Sequence, residues 1–245
     1  MEVLAACHVH SEWSYDAKWS LNALSAKFLE RGCRVLMMTE HDRGFSLARW
    51  EEYRRACAQA SSGEILIVPG MEYSDATNRV HILVWGAVPF LGEGLPTSEM
   101  LKRVKAANGV AVFAHPSRKS AWQAFEPDWA DQLWGVERWN RKYDGWAPSE
   151  TSSALLQKAN AVPFVGLDFH TQRQLFPLTM ALDIDGSVTE ESVLECLRAR
   201  RCFARAFGAP LSESLFRKAL PAFRIAERSR RTAARIARQT GVLSR

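Results

Sequence analysis

Nothing in this 245-residue sequence is apolar for long enough to span a bilayer as a helix. The longest apolar run beyond the first residues, 82–91, is short and contains Gly86 and Pro89. Glu2 stands where a secretion signal would carry bases, and the apolar stretch behind it runs straight into a histidine motif, so the expectation is a soluble, cytoplasmic protein. Cysteine is scarce. Cys7, Cys33, Cys57, Cys196 and Cys202 are odd in number and form no Cys-x-x-Cys pair, which argues against a zinc ribbon and a disulfide framework and leaves buried free thiols. Low-complexity linkers and sequence repeats are absent, as are a P-loop, a Gly-x-Gly-x-x-Gly turn and a serine nucleophile elbow. The 47% hydrophobic content excludes a disordered or fibrous chain.

Acid is nearly missing from one part of the chain. From Leu215 onward nine bases face a single acid, Glu227, for a net charge of +8, while residues 1–214 carry −3. The basic character belongs to the tail. Arg217, Arg224, Arg228, Arg231, Arg235 and Arg238 recur at spacings that line one helical face, opposite Phe216, Leu220, Phe223, Ala226, Ala233 and Ala237. Pro221 is expected to open this helix or kink it. An outer helix with a solvated basic side is one reading; a surface for a phosphate backbone, an anionic membrane or a partner protein is the other.

What the body does contain is an alternation of β-rich runs with amphipathic helical stretches. Strands are expected at 3–8, 34–38, 65–68, 80–85, 110–114, 135–138, 163–167 and 178–184, and helices at 21–31, 45–60, 98–108, 149–160 and 190–200. Repeated strand-then-helix order predicts parallel strands with right-handed crossovers, and at this length an α/β barrel in one domain, 1–210, followed by a basic helical tail, 211–245.

All six histidines fall where a strand gives way to a loop, each among other metal-ligand residue types. His8 and His10, two apart, share one face of an extended strand, with Cys7 on the other. Asp16 follows in the same loop; His41 lies between Glu40 and Asp42; Glu72, His81, His115, Asp168 and His170 come in turn. Gathering six imidazoles and three carboxylates at one barrel mouth without a cation would concentrate repelling charges in a partly desolvated site. The pattern points to a multinuclear metal site.

The motifs His8-Val9-His10-Ser11, Thr39-Glu40-His41-Asp42, Pro69-Gly70-Met71-Glu72, His81, Ala114-His115-Pro116 and Gly166-Leu167-Asp168-Phe169-His170 resemble, in order and spacing, those of the polymerase-and-histidinol-phosphatase (PHP) family. The resemblance covers residues 1–208 and implies a distorted (β/α)7 TIM-like barrel with two or three divalent transition metal ions: manganese, iron or zinc. It implies one ion on His8, His10, Glu72 and Asp168 with Glu72 bridging, a second on Asp16, His41 and His170, and a third on Glu72, His81 and His115. Asp16 stands where some members carry histidine, which makes the second set richer in oxygen. The implied activity is a phosphoesterase, foremost a phosphatase acting on a small phosphorylated metabolite or nucleotide by attack of metal-activated hydroxide on phosphorus.

Around that set, Arg118 is placed to pair with a phosphate oxygen. Asp42 and Glu40 are expected to orient imidazoles or protonate the leaving group. Asn140, Lys142, Tyr143 and Arg173 are candidates for touching substrate. Of the nine tryptophans, those at 122, 129, 134, 139 and 146 are expected mainly to pack helices rather than to stack bases. Gly70, Gly86 and Gly166 read as turn residues. Nucleic acid held by the basic tail would make the same site a nuclease. An amidohydrolase would need a lysine among the ligands, which the motifs lack, and a non-catalytic metal-binding regulatory module would show eroded ligands, which they do not.

Overall fold

The computed structural model describes residues 1–212 and 214–239. The side chains of Leu215, Phe216 and Arg238, named above for the tail, lie outside the described part, as does Arg245, one of its nine bases. In chain order the elements are β1 (Glu2–Val9), α1 (Leu21–Leu29), β2 (Val35–Met38), β3 (Glu40–His41), α2 (Leu47–Ala60), β4 (Leu66–Val68), β5 (Gly70–Ser74) and β6 (His81–Trp85). They continue as α3 (Thr97–Ala106), β7 (Val110–Phe113), β8 (Gly135–Asn140), α4 (Arg141–Asp144), α5 (Glu150–Ala159) and β9 (Val162–Gly166). The chain ends through β10 (Leu178–Asp183), α6 (Glu190–Arg198), β11 (Cys202–Ala206), β12 (Ala209–Pro210) and α7 (Ser214–Gln239).

The strands form two six-stranded sheets, ordered β12-β11-β10-β1-β2-β4 and β3-β5-β6-β7-β8-β9. Every residue of β2, β6 and β7 is buried, as expected of strands covered on both faces, and this is why they read as unbroken apolar runs. Each strand expected from the sequence has a counterpart, but the all-parallel arrangement does not hold. β5, β6 and β7 pair antiparallel, and β10 runs antiparallel to both β1 and β11. β5 and β6 are joined by a turn, residues 75–80, too short for a crossover, so a hairpin is the one geometry open to them.

β5 itself was hidden by Pro69-Gly70, which reads as a turn. Gly70 is instead the first residue of the strand, and a Cβ there would lie 2.4 Å from both the Trp85 indole and the Met38 carbonyl oxygen. Glycine is needed for close approach, since the Trp85 indole donates to that same carbonyl at 2.8 Å.

Three backbone hydrogen bonds join the two sheets where β1 meets the chain leaving β9. Leu167 donates to Cys7, Phe169 to His8, and His10 back to Phe169, each at 3.0 Å. The segments so joined carry His8, His10, Asp168 and His170.

Among the described residues no helix is long and apolar enough to cross a membrane. The cysteines are free thiols, four of them buried and Cys202 half-buried. Trp129 and Trp139 sit in the core and Trp134 packs against it, whereas Trp122 and Trp146 are exposed. Pro221 lies inside α7 rather than at its start. The helix docks on the body: Phe223 stacks on Phe207 at 5.0 Å, Arg224 pairs with Glu150 at 2.9 Å, and the Glu227 carboxylate accepts from the Trp146 amide at 3.0 Å.

Candidate metal centre

The sequence-predicted residues converge on Glu72 in the middle of β5. Its Oε1 lies 2.7 Å from His81 Nδ1, 2.8 Å from His115 Nε2 and 3.5 Å from His8 Nε2. Its Oε2 lies 3.1 Å from His41 Nδ1 and 3.4 Å from His10 Nε2. Asp168 Oδ1 stands 3.9 Å from His8 Nε2 and 3.7 Å from His10 Nε2. Asp16 closes the outer side, with Oδ1 3.4 Å from His41 Nε2 and Oδ2 3.2 Å from His170 Nε2. Asp16 is the most exposed of the nine, its side chain 35% accessible, while the other eight are buried.

The backbone is bent to achieve this. His8, His115 and Asp168 all adopt left-handed φ angles, 59°, 27° and 50°, which cost a residue with a Cβ. At His8 the pairing of β1 with β2 slips by one residue, a bulge that re-aims the side chain, so the His8/His10 pair is not set by a regular strand alone. His81 arrives from the N-terminal end of β6, because that strand runs opposite to its neighbours β5 and β7.

Several contacts lay beyond the sequence reading. Glu137, on β8 and fully buried, places Oε1 2.8 Å from His8 Nδ1, while its Oε2 accepts from the His115 amide at 2.6 Å and from Asn140 Nδ2 at 2.8 Å. It is the carboxylate that orients an imidazole, a role expected of Asp42 and Glu40. Glu40 accepts instead from the Ser11 amide and hydroxyl and the Ser14 hydroxyl, reaching His10 only through Ser14, whose Oγ is 3.3 Å from His10 Nδ1. Asp42 accepts from the Ser74 amide at 3.2 Å and lines the cavity over the centre. The one available signal for Glu137 was a lone acid in a strand-forming run.

That cavity is about 350 Å³ and is walled by Lys142, Arg118, Tyr143 and Asn78 among others. Lys142 Nζ donates to Asp168 Oδ1 at 3.0 Å. Arg118 donates to the Asn78 carbonyl oxygen at 2.8 Å, to Asn78 Oδ1 at 3.0 Å and to the Tyr143 hydroxyl at 3.0 Å. Asn140 is buried and caps α4, accepting from the amides of Lys142 and Tyr143, so it aims those two side chains and does not reach the cavity itself. Arg173 is exposed and lies outside the lining. Gly166 has no room for a side chain, since a Cβ would sit 1.9 Å from Glu137 Oε1.

Charge in the cluster is strongly coupled. Burial opposes charge on His41, yet Glu72 and Asp16 hold its pKa up at about 10. Burial, with His41 and His170 alongside, pushes His10 well below the usual imidazole range. Burial opposes ionisation of Asp168, but His8 and Lys142 bring it down to about 2. Burial raises Asp42 to about 6.

The donor set fits divalent cations. His8 Nε2 and His10 Nε2 are buried without a hydrogen-bond partner, which is costly unless something else satisfies them. Three triads hold donor atoms within 4.8 Å of one another: His8, His10 and Asp168; His10, His41 and His170; and His8, Glu72 and His115. His81 joins the third set through Glu72, while its Nε2 is engaged by Asn78 Oδ1 at 2.6 Å.

No protein-family model matches the chain, and no curated protein matches it. Solved structures do share its fold. One is a two-domain protein from Bacteroides vulgatus described as containing a predicted PHP-like metal-dependent phosphoesterase, at TM-score 0.63 and 16% identity over 84% of this chain and 65% of that one. PsfC from Pseudomonas syringae aligns at TM-score 0.60 and 16% identity, covering 95% of this chain and 99% of its own. The lesion-specific endonuclease PfuEndoQ from Pyrococcus furiosus aligns at TM-score 0.58 and 14% identity over 81% of this chain and 56% of that one. The chain thus spans less than two thirds of the first and the last of these. At such identities the likeness is one of fold.

Proposed function

We propose that this chain is a metal-dependent phosphoesterase, with residues 1–210 as the catalytic unit in a distorted (β/α)7 barrel, and that it acts as a phosphatase on a small phosphorylated metabolite or nucleotide. The observation that carries this is the set of buried, partnerless donor atoms around Glu72, at spacings a bridging cation would satisfy. The fold neighbours described as a phosphoesterase and an endonuclease support it.

Two or three divalent ions, manganese, iron or zinc, would be held by His8, His10, Glu72 and Asp168, by Asp16, His41 and His170, and by Glu72, His81 and His115. When bound they supply a water acidified to near neutrality and positive charge for the phosphoryl oxygens. The chain's own residues do the rest. Glu137 would fix the His8 tautomer by accepting a hydrogen bond from Nδ1–H, leaving Nε2 free to ligate. Lys142 and Arg118 present N–H donors from the cavity wall to phosphoryl oxygens. Asp42, in the same wall, is placed to hand a proton to the leaving oxygen.

A phosphodiester substrate is the second reading, favoured by the docking of basic α7 on the body. The test is metal analysis of the purified protein followed by assay on p-nitrophenyl phosphate and bis-p-nitrophenyl phosphate with added manganese. Two or three ions per chain and turnover of either ester support the proposal. Absence of metal together with inactivity after reconstitution with manganese, iron and zinc would refute it; bound metal without turnover of any ester would leave a regulatory module.

A further inference from the structure

The turn between β5 and β6 contributes Asp75, Ala76 and Asn78 to the wall of the cavity over the candidate metal centre. Asn78 is exposed, yet its side-chain oxygen is held from two sides. His81 Nε2 lies 2.6 Å from Asn78 Oδ1, and Arg118 Nη2 donates to the same oxygen at 3.0 Å. The second contact settles the nature of the first. A guanidinium carries donors and no acceptor, so the Asn78 atom facing Arg118 is the amide oxygen and not the amide nitrogen. His81 Nε2 must then donate to it.

The other ring nitrogen, Nδ1, lies 2.7 Å from Glu72 Oε1. Glu72 is the carboxylate proposed to bridge the ions, so Nδ1 is the nitrogen turned toward them. A ligating imidazole is neutral and keeps one proton, and in His81 that proton belongs at Nε2. His8 is held the other way round, with Glu137 at Nδ1.

The turn keeps this oxygen in place. Asn78 adopts a left-handed φ of 50°, which asparagine tolerates better than most residues, and its amide donates to the Asp75 carbonyl oxygen at 2.8 Å. Asp75 Oδ1 accepts from the amides of Arg79 and Val80 at 2.7 and 3.1 Å. Arg79 Nη2 donates to the Ser120 carbonyl oxygen at 2.8 Å and to Gln123 Oε1 at 2.9 Å, while the Asn78 carbonyl oxygen accepts from Arg118 Nη1 and Lys119 Nζ at 2.8 and 3.0 Å. Turn and segment 118–123 are thereby clasped together. Arg118 uses three of its five N–H groups on Asn78 and Tyr143, which leaves two for a phosphoryl oxygen. It can hold substrate and Asn78 at once.

We infer that Asn78 is a positioning residue for the third ion: it fixes the His81 ring so that Nδ1 is the ligating nitrogen, and Arg118 in turn fixes Asn78. The ion held by Glu72, His81 and His115 thus depends on the guanidinium that meets the substrate. The inference rests on the phosphoesterase reading and adds a link between its substrate-binding wall and its metal.

The test compares wild type with Asn78→Gly, Asn78→Asp, Arg118→Ala and the double variant Asn78→Gly/Arg118→Ala. Glycine accepts the left-handed φ and keeps the backbone carbonyl, so it removes the side-chain amide alone. Zinc titration against a competing chelator should show one ion per chain bound about tenfold more weakly in Asn78→Gly, with the others unchanged. Asn78→Asp retains an oxygen between His81 and Arg118 and should keep the wild-type affinity. Arg118→Ala should weaken the same ion in the wild-type background but not beside Asn78→Gly, since the two residues act in series. Nitrogen-15 spectra of histidine-labelled, zinc-loaded protein should show a proton on His81 Nε2 that is lost to solvent exchange in Asn78→Gly. Unchanged affinities in Asn78→Gly, equal loss of every ion, or an Arg118→Ala effect that persists beside Asn78→Gly overturn the inference. A wild-type His81 without a proton at Nε2 overturns it alone, whether or not the variants fold. Wild type that takes up no metal defeats the phosphoesterase reading instead. The same spectra of metal-free protein then still decide the positioning role: an Nε2 proton present in wild type and lost in Asn78→Gly supports it, and one absent or unchanged overturns it.

Discussion

Glu137 Oε1 lies 2.8 Å from His8 Nδ1, and both side chains are fully buried. The same carboxylate accepts from the His115 amide, so one residue sets the ring of one candidate ligand and the backbone of another. Glu137→Gln should therefore lower metal affinity roughly 10- to 100-fold while the protein remains folded. Competition with a chelator, read alongside circular dichroism, checks this; unchanged affinity would remove Glu137 from the centre.

Glu72 lies between 2.7 and 3.5 Å from five imidazoles. Glu72→Ala should reduce the bound metal and lower kcat/KM by about a thousandfold or more, since several kcal/mol of charge stabilisation depend on the ions it is proposed to bridge. Wild-type turnover in this variant would sink the bridging role.

Gly166 and Gly63 make a matched pair of glycine tests. At Gly166 an added Cβ meets Glu137 Oε1 at 1.9 Å and His8 Cβ at 2.8 Å, and Glu137 cannot swing away without leaving His8, His115 and Asn140. Gly166→Ala should destabilise by about 1–3 kcal/mol and weaken metal binding. Gly63 has nothing within 4 Å, so Gly63→Ala should stay within about 0.5 kcal/mol of wild type. Thermal or denaturant melts separate the two; equal stabilities would contradict the crowding at Gly166.

Acid should loosen α7. Burial works to raise the Glu227 pKa, but hydrogen bonds from Arg230, Arg231 and the Trp146 amide hold it at about 2, below its ordinary 4.5. The stabilisation from this carboxylate is thus fully present above about pH 4.5 and is lost as pH falls through about 2. Tryptophan emission, followed from neutral pH to pH 2, should report undocking beside Trp146 in wild type. Glu227→Gln should lack this pH-dependent part, and superimposable profiles for the two proteins would exclude Glu227 as the anchor.

Much of the candidate centre was legible before any coordinates, because ligand chemistry restricts residue type and the nine side chains sit in short, ordered motifs. The positions of eight strands were legible too, from runs of buried apolar residues. The hairpin of β5 with β6 was not, since Pro69-Gly70 carries the local marks of a turn and only the Trp85 ring above Gly70 reveals a strand. Glu137 was not, because an acid in a strand looks the same whether it faces water or His8. The tail's basic stripe was plain, but its single acid gave no sign that it is the docking point.

The sequence by itself determined the residue types of the centre, their order and the separation of a slightly acidic body from a basic tail. Those are properties of composition and of neighbours along the chain. Only the tertiary structure decided which carboxylate holds which imidazole, that His81 enters from an antiparallel strand, and that α7 lies beside the Arg118 wall. The physical reason is range: Glu137 and His8 are 129 residues apart, and Glu227 and Trp146 are 81 apart. Such pairs exist only once β-sheet pairing and helix docking have brought distant segments together, and no local pattern encodes them.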